Sequence, residues 1–220
     1  MSTPDQIYSQ ITTLTSDLIG VGLCDRQNYP SKKTFRDNVV EVSSGSSEGI
    51  ALALKEISYI DLYNELDRLS SYGIKMLDGA LISFDYRFKK NELCSHRLAF
   101  FPSPYVEEFQ NNPEVYLEDE VYAEVVSKCI VPFPLRFDYD IDPESFREVF
   151  HPKSHLTLGQ YKNCRIPVSA GLTPFRFLDF ILRNFYHTSF SVYSCNLTGF
   201  EQSFNTSIYE SERKLVHVNV

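Results

Sequence analysis

The side chains best suited to chemistry lie between positions 136 and 165. They are Arg136, Asp138, His151, His155 and Arg165, with Asp140 and Thr157 interleaved. Arginine forks phosphate oxygens through two parallel N–H bonds and keeps its charge at any ordinary pH. Histidine moves protons near neutrality, and a neighbouring carboxylate orients it or raises its pKa. A metal-independent ribonuclease needs these parts: a base, an acid and a cation facing the charge that develops on the phosphoryl oxygens. On this reading His155 and His151 supply the acid and base. Arg136 and Arg165 hold the phosphoryl group, and Asp138 orients a histidine. The same residues also suit a plain solvated sheet face, with Arg136–Asp138 and Arg165–Asp140 as cross-strand ion pairs.

These residues share a site only if neighbouring strands present them on one face. Val131, Phe133, Leu135, Phe137, Tyr139 and Ile141 alternate, so Arg136, Asp138 and Asp140 face the other way. Pro132 and Pro134 place the start of that strand at an edge or bulge. His155 and Thr157 oppose Leu156 and Leu158, and Arg165 opposes Cys164 and Ile166. Asp85, Arg87 and Arg97 extend the same polar face.

The elements around these strands are legible from caps and periods. Thr3 and Pro4 open a helix carrying Ile7, Ile11, Leu14 and Leu18, which Gly20 and Gly22 end. Ser58 and Asp61 open a second, with Leu62, Leu66 and Leu69 on its stripe and Gly73 as its stop. Residues 25–49 read as polar chain with a flexible loop near 43–49, although Val39–Val42 suits a strand. Ile82, Phe84, Tyr86 and Phe88 mark a half-buried strand, and 94–101 is its return. Residues 105–127 read as helical. Thr173–Pro174 opens the strongest helix, 174–186, with Phe175, Leu178, Ile181, Leu182 and Phe185 inward. A last strand is expected over 214–220. The expected fold is α+β, a central, mostly antiparallel sheet of hairpins with flanking helices. The 220 residues read as one domain, helical over 1–75 and sheet-based over 80–220.

Composition narrows the function classes. The formal charge of −8 argues against a protein that coats nucleic acid electrostatically. Residues 98–127 carry seven acids and no Lys or Arg, a solvated face or a docking surface for a basic partner. Residues 152–186 carry five Lys or Arg against one Asp, which leaves room for nucleic acid at the 136–186 region. No apolar run approaches the roughly 20 residues of a membrane span, and no secretion signal is seen. The five cysteines are odd in number, widely spaced and without a CxxC, so buried free thiols and a cytoplasmic location are expected. No metal or cofactor is expected. Asp138-x-Asp140-x-Asp142 opens like a calcium loop, but Pro143 stands where the glycine belongs. Pro152 between His151 and His155 removes the helical geometry of a zinc motif. Phosphate-loop, dinucleotide and nucleophile-elbow motifs are absent.

Four strings carry a family resemblance: Arg136-Phe137-Asp138-Tyr139-Asp140, His151-Pro152-x-Ser154-His155-Leu156-Thr157-Leu158-Gly159, Cys164-Arg165-Ile166-Pro167-Val168, and Pro174 to Tyr186. The chain resembles the bacterial domain-of-unknown-function family 2290, most densely over 130–187. More loosely, the order of these strings is similar to that of TumE-type toxin proteins. The resemblance implies a component of a prokaryotic anti-phage defence or toxin–antitoxin-like operon. Such a component would act as a protein-interaction subunit beside a partner encoded nearby. The alternative is a metal-independent nuclease or phosphotransferase using the Arg/Asp/His cluster.

Overall fold

The computed structural model describes residues 2–45, 57–105, 132–161 and 163–220. Helix α1 (Pro4–Gly20) starts where its cap dictates. Thr3 Oγ1 accepts from Gln6 N at 3.3 Å, and Gln6 Oε1 accepts from Thr3 N at 2.9 Å, a closed capping box. Its stripe of Ile7, Ile11, Leu14 and Leu18 is fully buried. Helix α2 (Tyr59–Arg68) is capped by Ser58, whose side chain accepts from Asp61 N. Ser70, with φ of 51°, turns the chain after it. Gly73 therefore does not stop this helix. It lets the backbone pass against Ser44, where a Cβ would collide with the Ser44 side chain.

Among the described residues nine strands form one antiparallel sheet: β1 (Cys24–Gln27), β2 (Ser31–Thr34), β3 (Val39–Ser43), β4 (Ile74–Met76), β5 (Leu81–Lys89), β6 (Glu92–Phe101), β7 (Leu135–Asp140), β8 (Ser154–Leu158) and β9 (Ile166–Pro167). The order runs β1-β4-β5-β6-β7-β8-β9, and β5 also pairs with β3, which pairs with β2. Helices α3 (Pro174–Phe185), α4 (His187–Tyr193) and α5 (Glu210–Arg213) complete the α+β fold.

The two faces of this sheet have different jobs. Phe84, Leu98, Phe137 and Leu156 lie on one register row and pack with α1 and α3 in the main core. Phe177 of α3 meets Phe84 and Phe137 edge to face. On the other face, α2 covers one end through Leu62, Tyr63 and Leu66 against Leu81, Ala99 and Phe101. The remainder of that second face is polar.

Several expectations need correction. The described part of the first 75 residues holds α1 and α2 but also β1 to β3 and the start of β4. β1 and β2 were hidden because Arg26, Lys32 and Lys33 are exposed and nothing alternates. No strand forms over 214–220, where only Val218 bridges to Val168. Pro132 and Pro134 precede β7, which is an interior strand rather than an edge. Phe177, omitted from the inward face of α3, is fully buried there, while Phe175 and Phe185 are only half-buried. Cys24, Cys94 and Cys164 are half-buried free thiols and Cys195 is exposed, so they are not the core thiols expected. Residues 106–127 of the expected helix, most of the acidic segment, and residues 46–49 of the loop lie outside the described residues.

Candidate functional site

The polar face is a grid set by strand register. Ser43, Asp85, Arg97, Asp138 and His155 form one row across β3, β5, β6, β7 and β8. Adjacent strands lie about 4.8 Å apart, so each of these side chains stands beside the next. Arg136 and Thr157 occupy the row on one side, Arg87, Ser95 and Asp140 the row on the other. All of these but Ser43 and Thr157 line a cleft of about 400 Å³, to which His151 and Arg165 also contribute. The five residues picked from the sequence therefore converge on one place.

Their roles differ from expectation at Asp138. Its first partner is Arg97, whose Nε donates to Asp138 Oδ1 at 2.6 Å. Burial works to raise the Asp138 carboxyl, but the Arg97 and Arg136 guanidiniums hold it below the ordinary carboxylate value. His155 Nε2 stands 3.9 Å from Asp138 Oδ2, too far for a hydrogen bond. Asp138 does not orient the histidine. Pro152 does: His155 Nδ1 lies 3.0 Å from the Pro152 carbonyl oxygen. A carbonyl only accepts, so Nδ1 carries the proton and Nε2 keeps its lone pair. His155 is 4% exposed, and burial lowers its pKa to about 4 against the opposing pull of Asp138. The ring is neutral at pH 7, with a free base at Nε2. His151 packs against it at 5.0 Å between ring centroids.

The arginines are not equivalent. Arg165 Nη1 donates to the Cys164 carbonyl at 3.0 Å and to Thr157 Oγ1 at 3.4 Å. The expected Arg165–Asp140 pair is not formed. Asp140 Oδ1 instead accepts from Asp142 N at 2.9 Å, and Asp142 Oδ1 accepts from Glu144 N. Those carboxylates shape a turn where a calcium loop was considered. Among the described residues no three His, Cys, Asp or Glu gather as metal ligands. Arg136 is the unusual one. Its side chain is 15% exposed, and its Nε is 3.7 Å from Asp138 Oδ2. Among the described residues it makes no hydrogen bond.

Asp85 and Arg97 were seen in the sequence only as extensions of the face. Arg97 is central, and Asp85 is its neighbour in the row. Burial, then Glu41, raises the Asp85 pKa to about 6, with Arg87 and Arg97 opposing. Asp85 Oδ1 is buried with no hydrogen-bond partner among the described residues. The basic stretch 152–186 does not form one surface. Arg176 and Arg183 belong to α3, packed on the opposite side of the sheet. Lys153 Nζ is held over the rings of Phe146 and Tyr209.

The family described as "Uncharacterized conserved protein (DUF2290)" matches residues 23–220. The chain belongs to the DUF2290 family. The matched region contains every cleft residue of this DUF2290 member and leaves α1 before it. No curated protein and no solved structure matches the chain. Among the described residues of this DUF2290 protein, no helix is long and apolar enough to cross a membrane.

Proposed function

We propose that this protein binds a phosphoryl group in the cleft and transfers it without a metal, as a nuclease or phosphotransferase. The observation that carries the reading is Arg136. A largely buried guanidinium normally has its donors bonded, because desolvating them without partners is costly. Among the described residues its donors make no hydrogen bond, only the longer ion pair to Asp138, beside a neutral histidine and two further arginines. A phosphoryl anion satisfies that geometry, since its oxygens accept what Arg136 and Arg165 offer.

In the transfer step, His155 Nε2 takes the proton of an attacking hydroxyl as its oxygen bonds to phosphorus. Arg136 and Arg165 face the phosphoryl oxygens that gain charge. The bond from phosphorus to the leaving oxygen breaks, and that oxygen takes a proton from His151. The test is cleavage of RNA and DNA oligonucleotides with a metal chelator present. Cleavage by the wild type, reduced about 100-fold or more in His155→Ala with an unchanged circular dichroism spectrum, supports the assignment. Full activity in that variant, or none in the wild type, removes it.

A second reading is a protein-interaction subunit of a prokaryotic defence or toxin–antitoxin-like operon. What favours it is apolar exposure: Val216 is 91% and Tyr161 75% exposed. Side chains of this kind serve as anchors at interfaces. Co-expression with the products of flanking genes should yield a stable complex. A protein that stays monomeric beside all of them ends this reading.

A further inference from the structure

The loop between β7 and β8, residues 141–153, is built more firmly than a connector requires. Glu212 of α5 is buried, and its Oε1 accepts from Val149 N at 3.3 Å while Oε2 accepts from Tyr209 N at 2.9 Å. Phe146 stacks on Tyr209 at 5.0 Å between centroids, with Lys153 over both rings. Ser211 Oγ donates to Glu148. Arg147 and His151 exchange backbone hydrogen bonds across the turn. Within this clamp Val149 adopts a φ of +71°. That is a rare and strained state for a β-branched residue, and it persists only where its surroundings enforce it.

The strained residue immediately precedes the most exposed aromatic side chain of the described residues. Phe150 is 81% exposed, and the next residue, His151, lines the cleft. A large apolar ring held in water on a rigid turn is unfavourable unless something covers it. A bare phosphate does not reach or need such a ring. A nucleobase does, because every base has a flat face that stacks on an aromatic side chain whatever its identity. Phe150 is the immediate chain neighbour of the cleft-lining His151, so a base stacked on it belongs to a nucleotide whose phosphate is at or next to the cleft.

We infer that Phe150 is a stacking platform for a nucleobase, so that the ligand of the cleft is a single-stranded nucleic acid. This rests on the phosphate reading of the cleft and adds the class of substrate. The bases of a duplex are already stacked and paired, and their faces are unavailable to Phe150.

The experiment compares three probes by titration: inorganic pyrophosphate, a mixed-sequence single-stranded RNA hexamer, and a hexamer of the same backbone without bases. The wild type should bind all three, and the full hexamer about tenfold more tightly than the abasic one. Phe150→Ala should erase that preference and leave pyrophosphate affinity unchanged, while Phe150→Tyr should restore it. Equal binding of both hexamers by the wild type, or a preference that survives in Phe150→Ala, overturns the stacking role while the phosphate site stands. Failure of the wild type to bind pyrophosphate at all overturns the phosphate reading and this inference together.

Discussion

Arg97 and Arg136 flank one buried carboxylate, Asp138, and only Arg97 hydrogen-bonds to it. Stability and function therefore separate by residue. Asp138→Ala leaves the half-buried Arg97 without its partner and should cost about 3 kcal/mol in urea unfolding. Arg136→Met should behave in the opposite way. It removes a desolvated cation that Asp138 attracts and Arg97 and Arg165 repel, leaves Asp138 its hydrogen bond from Arg97, and keeps most of the apolar volume. Its melting temperature should equal or exceed that of the wild type, at about 2–4 °C per kcal/mol gained, while pyrophosphate binding disappears. A clear loss of stability in Arg136→Met would mean that the guanidinium is structural. The sequence shows the types of these residues and their faces, because alternation fixes both. It does not show that Asp138 faces Arg97, since the register of β6 on β7 is set across more than thirty intervening residues. Nor does it show that Pro152, three positions before His155, fixes the tautomer.

β5, β6 and β7, helices α1 and α3, and the cap of α2 are written locally, in alternation, capping residues and apolar stripes. β1 and β2 are not, because an exposed ribbon at the sheet margin places little in the core. The expected strand over 214–220 fails for a related reason. Alternation there has no neighbouring strand to answer it beyond one bridge at Val168. The β7–β8 loop is the element whose geometry is least local, since α5 clamps it from some sixty residues away. That clamp makes a prediction. Val149→Gly relieves a positive φ and should leave stability unchanged or slightly higher in thermal unfolding. Val42→Gly, in the buried part of β3, should cost about 2–4 kcal/mol by comparison. Equal losses at the two positions would show that the Val149 backbone is not strained.

At the scale of the molecule, His96 and His155 work against Asp78 and Asp85 in acid. Burial lowers His96 and His155 from 6.5 to about 4. Their contribution to stability is present above pH 6.5 and is lost as pH falls toward 4. Burial raises Asp78 and Asp85 from 3.8 to about 6. Their contribution is present below pH 3.8 and is lost as pH rises through 6. Between pH 4 and 6 the unfolded chain binds extra protons at two histidines, and the folded chain binds them at two aspartates. The slopes cancel, so the melting temperature of the wild type should be nearly flat in that window. Asp85→Asn removes one opposing slope, and its melting temperature should fall as the solution is acidified from pH 6 to 4. A flat profile in that variant would contradict the balance.

The family match begins at residue 23, after the whole of α1. Yet Ile7, Ile11, Leu14 and Leu18 belong to the same buried cluster as Val42, Tyr86 and Leu182. The boundary drawn by similarity and the boundary of the folding unit are thus different boundaries. A gene fragment trimmed to the matched region would leave an apolar trough along the back of the sheet, and its product would be expected to aggregate.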